Sequence, residues 1–326
     1  MKLKRSYLWM ILLLGLVLVP PRASVFWVHT FTMILLFIYW TSAWNIIGGF
    51  AGEINFYHPL FIAAGAYSST LLFMNYRISP WIGMWVGVAI AVAIGVGCAW
   101  ICYRARLPHL SFALAAMGFV YMGLYIGTAM EWVTGGTRGL TLRPASDPAN
   151  MMFGDKATYY YIALVLASGA VALSWWISRS RLGYYMSAIR GNLLAAEAVG
   201  VNTVGYRLLA MAISASLTAI GGTFYTQLNL FINPQVAVSI TGVISMILFC
   251  AIGGFGTVWG PVVGTLLLMP IGELLRLYVA VPGLHLMLYG IIVITVISFA
   301  PHGLVPWFQD YAARKRGAAG QAKEPG

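Results

Sequence analysis

Long apolar runs separated by short polar segments make up most of the chain. A run of about 17–25 residues is long enough for a helix that crosses the hydrocarbon core of a bilayer. A first, shorter run follows Lys2, Lys4 and Arg5. Counting it as a retained helix rather than a cleaved signal peptide, the pattern predicts about ten transmembrane helices, at 7–19, 25–45, 60–76, 80–103, 108–131, 158–178, 206–228, 238–254, 259–280 and 285–306.

The segment 46–58 does not fit this pattern. It is too short to span, and its glycines interrupt any regular helix. Irregular backbone at membrane depth is tolerated only where protein buries it or where it lines a water-filled cavity. The sequence therefore predicts a broken or re-entrant segment here. Pairs of glycines four residues apart, such as Gly83 and Gly87, predict close helix packing elsewhere in the bundle.

Composition agrees with a membrane protein. Hydrophobic residues make up 60% of the chain and charged residues only 8%, against about 25% charged in soluble domains. We predict an all-α polytopic integral membrane protein with one transmembrane domain over residues 1–308 and a polar, disordered tail over 309–326. The net charge of +11 lies in loops and tails, so it favours contact with membrane lipid and not with nucleic acid.

The basic residues predict the orientation. Thirteen of the 19 Lys and Arg residues fall in loops on one side of the ten-helix arrangement, together with both termini, and six fall on the other. Cationic loops stay in the cytoplasm, so both termini are predicted to be cytoplasmic. Cys98 and Cys102 lie four apart on one helical face but have no His, Asp or Glu near them in sequence, which favours packing over a metal site.

The polar loop 179–207 is the longest cytoplasmic loop within this arrangement. Its one acid is Glu197. Asn192 can cap a short helix over 193–199, and Gly200 can end it in a left-handed conformation. A helix of this length is unstable alone. It therefore needs a surface to pack on, either a cytoplasmic partner protein or the bilayer interface.

Two features predict a transport path. Ile47-Gly48-Gly49-Phe50 recurs as Ile252-Gly253-Gly254-Phe255, and paired, glycine-interrupted segments are typical of transport sites, although a four-residue match can arise by chance. Glu53 is an ionisable group at membrane depth, which suggests function, or a carboxyl neutralised by protonation or by backbone N–H groups. The path is predicted to comprise Gly48, Gly49, Gly52, Glu53, Asn55, His58, Gly253, Gly254 and Gly256.

Other chemistry is not indicated. The chain has no Gly-x4-Gly-Lys-[Ser/Thr] loop for nucleotide phosphates, so it is not predicted to hydrolyse ATP or to bind a cofactor. Its five histidines are scattered and have no zinc-like spacing. Glu273 stands one helical turn before Arg276, which predicts a local ion pair.

Four stretches together resemble one family. They are AIRGNLLAAEAVGVNTVGYRLLAMAIS (188–214), NIIGGFAGEINFYHPLFIAAGAY (45–67), EWVTGGTRGL (131–140) and IGGFGTVWGPVVGTLL (252–267). The first resembles the cytoplasmic coupling loop in permease subunits of branched-chain amino-acid ABC importers, the LivM type. Related permeases commonly carry Gln where this chain has Glu53, which leaves the substrate open.

The resemblance implies an ABC importer permease fold in a bacterial inner membrane. It implies a second permease subunit, two cytoplasmic ATPases that use ATP and Mg²⁺, and a periplasmic substrate-binding protein that meets the outer loop 131–157. The substrate would be a branched-chain or other hydrophobic amino acid, or a similar small solute. By this resemblance, the residues that couple to the ATPase are Leu193, Leu194, Ala195, Ala196, Glu197, Ala198 and Gly200.

Two other classes remain open at this point. An ion-coupled secondary transporter or channel could use Glu53 as its proton carrier. An integral-membrane enzyme would need a polar catalytic cluster near one interface, and the sequence offers none.

Overall fold

The computed structural model describes residues 24–278 and 284–311. The first predicted helix, 7–19, lies outside the described residues, as does most of the predicted tail. The described chain is helical almost throughout. Its main helices are α1 (Val25–Asn45), α2 (His58–Tyr76), α3 (Pro80–Arg104), α4 (His109–Ala129), α5 (Glu131–Thr134), α6 (Lys156–Arg179), α7 (Arg181–Gly191), α8 (Leu193–Ala198), α9 (Thr203–Asn229), α10 (Pro234–Ala237), α11 (Ile240–Gly253), α12 (Gly260–Tyr278) and α13 (Leu284–Phe299).

Seven helical stretches of the described chain are long and apolar enough to cross a membrane. They are Val25–Phe50, Pro80–Arg104, Leu110–Ala129, Lys156–Arg179, Thr203–Asn229, Pro234–Gly253 and Leu286–Tyr311. The all-α membrane class is thus confirmed, whereas the count of ten is not. Of the other predicted spans, α2 forms as a helix but carries Ser68, Ser69 and Thr70, and only Gly260–Leu275 of α12 is apolar, as a shorter stretch.

Two groups of helices pack around α1 and α9. Helices α2, α3 and α9 contact one another closely, while α1 packs against α6 and α12, and α11 lies beside α12. Helices α2 and α9 approach each other closely. A Cβ atom added to Gly65 would collide with the backbone carbonyl of Ala219, and one added to Gly222 would collide with that of Ile62. Small residues let helices meet in this way, where van der Waals packing stabilises a bundle in lipid.

The broken segment starts later than the sequence predicts. Residues Ile46–Phe50 continue α1 as a π-helical turn, with Ile46 and Ile47 fully buried. Regular structure is absent only over 51–57, where Gly52 has a φ of 78°. The prediction of an interruption is therefore confirmed for 51–57 and wrong for 46–50. Gly48 and Gly49, which the sequence predicts to be helix breakers, lie within the wider π turn, and the ring of Trp44 covers Gly48.

Two further segments are more ordered than their composition indicates. The loop between α4 and α6 contains a strand, Leu140–Thr141, that pairs with Phe231–Ile232, and Trp81 Nε1 donates to the carbonyl of Pro148 at 3.1 Å. Residues 304–311 form a helix, so the predicted disordered tail is wrong for 309–311. Trp307 stacks on Tyr311 there, one turn apart, which favours helix over coil.

Candidate functional site

The short helix predicted in the loop between α6 and α9 forms as α8, whereas α7, before it, was not predicted. The side chain of Asn192 caps α8, accepting from the N–H of Ala195 at 3.0 Å. Gly200 follows in a left-handed conformation, with a φ of 84°, and its N–H donates to the carbonyl of Glu197 at 2.9 Å. The side chain of Thr203 donates to that of Glu197 at 2.7 Å. These bonds hold α8 at both ends, one residue shorter than predicted.

Helix α8 presents an apolar face to its surroundings. Leu194 and Val199 are 75% and 80% exposed, while Leu193 is half-buried. Ala196 is buried and anchors the helix against the rest of the loop. Ala195 and Ala198 complete the outer surface as exposed small residues. An exposed apolar surface of this kind suits either a partner protein or the bilayer interface, the two surfaces that the sequence leaves open.

The two glycine-rich repeats meet in the folded bundle, as predicted. The carbonyl of Gly49 lies 2.7 Å from the position that a Cβ of Gly256 would occupy. Asn45 connects the two segments, because its side chain accepts from the N–H of Gly256 at 3.0 Å and donates to the carbonyl of Thr257 at 2.9 Å. Gly253 and Gly254 pack on the backbones of neighbouring segments, at Gly260 and Gly303 respectively.

Arg190 bonds to the backbone of both turns. In the last turn of α7, it donates from Nη1 to the carbonyl of Gly49 at 3.0 Å and to that of Phe255 at 3.2 Å. One side chain of the loop between α6 and α9 thus occupies a backbone acceptor in each turn.

Glu53 forms a buried ion pair. It is 2% exposed, its carboxylate pairs with the guanidinium of Arg207, and it also accepts from the hydroxyl of Tyr103. The guanidinium carbon of Arg207 lies 3.9 Å from the ring centroid of Tyr103, in a cation–π contact. Neither protonation nor backbone N–H groups are needed to explain how Glu53 is tolerated.

Sequence reasoning missed both partners of Glu53. Arg207 was assigned to a solvated loop, but it is 7% exposed and lies in the first turns of α9. The signal that could have found it is its position: one basic residue just inside a long apolar helix, with one unpaired acid elsewhere at membrane depth. Tyr103, at the end of α3, carries no such signal.

Asn55 and His58 belong to a buried hydrogen-bonded chain. His58 Nε2 lies 2.9 Å from Ser214 Oγ, which itself donates to the carbonyl of Ala43 at 2.7 Å. The serine oxygen therefore accepts from Nε2–H, which makes Nδ1 an acceptor. Asn55 Oδ1 lies 3.1 Å from Nδ1, and turning the amide so that its NH₂ group faces the ring lets Asn55 donate to Nδ1. This chain ties α2 to α9 and α1.

A cavity lies elsewhere in the described bundle. It has a volume of about 300 Å³ and lies between α1, α9, α11, α12 and α13, at the end of the bundle away from α8. Its walls include Trp40, Tyr225, Phe249 and Tyr289, with the hydroxyls of neighbouring Ser and Thr residues and one acid, Glu273. The predicted path residues do not line it. Glu53, Asn55 and His58 are buried, and each is hydrogen-bonded or ion-paired; their role in a transport path stays a prediction.

Two further predictions concern the ion pair of Glu273 with Arg276 and the role of the cysteines. The side chain of Arg276 lies outside the described residues, so its predicted pair with Glu273 is not placed. Over residues 24–278 and 284–311, no group of three or more His, Cys, Asp or Glu residues is arranged to hold a metal ion. Cys98 and Cys102 are free thiols.

These features fit a class, the polytopic membrane transport proteins: a cavity lies among the helices, and a capped short helix with exposed apolar side chains lies in the loop between α6 and α9. The comparison with protein families is specific. Residues 26–297 match the family described as the branched-chain amino acid transport system permease component, and the chain belongs to it. The resemblance carried by the four stretches is thereby confirmed.

Individual relatives agree with the family. The chain is 24% identical over 311 residues to the high-affinity branched-chain amino acid transport system permease protein LivM of Escherichia coli, covering 88% of this chain and 72% of that protein. It is 24% identical over 339 residues to LivM of Salmonella typhimurium, covering 97% and 78%. It is 31% identical over 170 residues to the autoinducer 2 import system permease protein LsrC of Klebsiella pneumoniae, covering 48% and 46%. No solved structure matches the chain.

Proposed function

We propose that the chain is the permease subunit of an ATP-driven importer in a bacterial inner membrane, with both termini in the cytoplasm. The observation that carries this proposal is α8, a short helix held by caps at both ends with Leu194 and Val199 exposed. A second permease would complete the pathway, two cytoplasmic ATPases using ATP and Mg²⁺ would bind the α8 loops, and a periplasmic binding protein would deliver substrate.

The cavity supports a small, partly apolar substrate. Aromatic and methionine side chains supply much of its apolar wall, and Glu273 together with Ser239, Thr241 and Ser245 supplies polar groups. Such a lining suits an apolar amino acid, whose ammonium group needs an acidic or hydroxyl partner while its side chain does not. Relatives named for branched-chain amino acids and for autoinducer 2 leave a small solute other than an amino acid as the second candidate.

Geometry disfavours the proton-coupled alternative. A proton carrier must release and accept its proton in each cycle, yet Glu53 is buried against Arg207. Protonating it would leave the guanidinium buried without a counter-charge, which is strongly unfavourable. Uptake that persists with an uncoupler present while ATP is held constant would support the ATP-driven proposal, and its collapse would support the alternative.

Replacing Leu194 by Asp is expected to reduce binding of the ATPase by at least about 10-fold, because a single buried apolar anchor at an interface is worth about 1–2 kcal/mol or more. Leu194 makes none of the capping bonds of the loop, so the loop should keep its fold. Co-purification of ATPase and stimulated ATP hydrolysis are the measurements. Leu194→Met is the matched control and should behave as the unmodified protein. Normal ATPase binding by Leu194→Asp would remove α8 from the coupling role.

The orientation is tested by labelling from one side. Ala145 and Gly191 are exposed, and a side chain added at Gly191 meets no atom within 4 Å. In a cysteine-free protein in cells with a permeabilised outer membrane, an impermeant thiol reagent should label a cysteine at position 145 and not one at 191. Both should react after the inner membrane is disrupted. The reverse pattern in intact cells would invert the proposed topology.

A further inference from the structure

Arg190 connects the proposed coupling loop to the transmembrane bundle. It lies at the end of α7, two residues before Asn192, the cap of α8. Its side chain points away from α8 towards the two glycine-rich turns. Through Nη1 it reaches the carbonyls of Gly49 and Phe255, which belong to segments far apart in sequence. It is thus one residue in contact with both repeats at once.

The glycines of these turns form the space that the arginine occupies. A Cβ atom added to Gly52 would lie 2.8 Å from Arg190 Cγ and 3.1 Å from its Cβ. One added to Gly256 would overlap the guanidinium itself. Both glycines have positive φ, 78° and 70°, a conformation that residues with a Cβ atom rarely adopt. Glycine at these positions therefore serves the contact with Arg190 as well as the turns.

The two carbonyls lie where helices end. Gly49 is in the π-helical turn that terminates α1, and Phe255 lies two residues beyond the end of α11. Terminal carbonyls lack partners within their own helices, and a cation near them is favoured by the helix dipole. One guanidinium thus stabilises the ends of both helices together, supported by the Asn45 bonds between the same two segments.

The same two helices line the cavity. Trp40 on α1 and Met246 and Phe249 on α11 are among its walls, about two helical turns from the carbonyls that Arg190 holds. A displacement of α7 and α8 would act through Arg190 on the ends of α1 and α11, and rigid helices carry such a displacement along their length. No described hydrogen bond joins α8 itself to the end of either helix. Among the described residues, Arg190 is therefore the polar link between the loop and the two helices, α1 and α11, that line the cavity.

We propose that Arg190 is a positioning residue that transmits movement of the α7–α8 loop to the paired glycine turns and so couples ATPase action to the cavity. This rests on the proposed function, and it separates two roles in one loop. The exposed face of α8 binds the ATPase, and Arg190, on the other side of the loop, passes the movement on. The loss of Arg190 should therefore uncouple the transporter without releasing the ATPase.

The test compares Arg190→Met with Arg181→Met in the complete transporter, reconstituted in lipid vesicles with its ATPase and binding protein. Methionine keeps an apolar stem over Gly52 but donates no hydrogen bond. Arg181 lies on the same helix, is exposed and loses the same charge. ATPase association, ATP hydrolysis and substrate uptake are measured together. Arg190→Met should keep ATPase association, while uptake per ATP hydrolysed should fall by about 10-fold, which is within the usual range of a coupling free energy. Arg181→Met should change neither ATPase association nor uptake per ATP hydrolysed.

Two variants extend the test. Arg190→Lys keeps a charged donor and should restore part of the uptake-to-hydrolysis ratio, but not all, because ammonium and guanidinium differ in shape and reach. Arg190→Gln has a shorter side chain than arginine and should behave as Arg190→Met does. It replaces Arg190→Met in the test if that variant does not accumulate. Backbone amide hydrogen exchange at residues 253–257 should be faster in Arg190→Met and in Arg190→Gln than in the unmodified protein.

The outcomes separate this proposal from the proposed function. An unchanged ratio of uptake to hydrolysis in Arg190→Met or Arg190→Gln would overturn the role of Arg190. Loss of ATPase association in these variants would also overturn it, because Arg190 would then be a docking contact. If the unmodified chain neither binds an ATPase nor imports with ATP, the proposed function itself fails, independently of Arg190.

Discussion

Replacing Arg207 by Met is expected to destabilise the protein by about 3–5 kcal/mol, because removing one partner of a buried ion pair leaves an uncompensated charge. Glu53 would remain enclosed at 2% exposure, with Tyr103 as its one described side-chain partner. The measurement is thermal unfolding of the purified protein in detergent, alongside the amount that accumulates in the membrane. Arg104→Met is the matched control, since Arg104 is exposed at the end of α3 and contacts Trp100.

A double substitution makes this prediction sharper. Changing Glu53 to Leu and Arg207 to Met together should recover most of the stability lost in Arg207→Met, because replacing both charges by apolar side chains removes the uncompensated group. Glu53→Leu alone should be harmful, since it strands the guanidinium. If the two single losses simply add in the double variant, the residues do not act as a pair, and the buried ion pair is not what holds this region together.

The double variant also addresses transport. A stable Glu53→Leu, Arg207→Met protein that still imports with ATP would show that Glu53 is a structural residue, as its geometry indicates. A stable protein without uptake would return Glu53 to the transport path that its sequence position first suggested. Stability and uptake are therefore measured on the same preparations.

The sequence predicts those features of this protein that depend on residues close together in the chain, such as helix caps and turns. Asn192 and Gly200 bound α8 because a cap and a left-handed turn are short-range devices. Each acts within a few residues, so neighbouring sequence is enough to reveal it. The same holds for the interruption near Gly52, where positive φ is needed. These predictions needed no knowledge of the bundle.

Long-range contacts are the part that sequence reasoning could not supply. Arg207 lies next to a polar loop in sequence, and whether it faces solvent or Glu53 depends on how α9 packs against α3. The π-helical turn at Ile46–Phe50 likewise depends on tertiary packing, because glycine pairs ordinarily weaken a helix. Arg190 was one of several loop cations, and only the meeting of two distant turns gives it a distinct role.

Close packing of α2 on α9 leads to the second large prediction. Gly65 lies against the backbone of Ala219, and its carbonyl accepts from the Thr223 hydroxyl at 2.9 Å. A side chain at Gly65 has no space unless the two helices separate, which would also break that bond. Gly65→Leu is therefore expected to cost about 3 kcal/mol, at the upper end of the usual range for overpacking, or to prevent accumulation.

Gly169 provides the control for this prediction. It lies in the middle of α6, and a Cβ atom added there meets no other atom within 4 Å. Gly169→Leu introduces the same side chain into a membrane helix without a clash, and it should be neutral or slightly stabilising because leucine favours helix over glycine. Unfolding temperatures of the two variants in one detergent make the comparison. Equal temperatures would mean that α2 and α9 do not approach as closely as Gly65 requires, and the packing that positions Arg207, His58 and the α8 loop would need a different explanation.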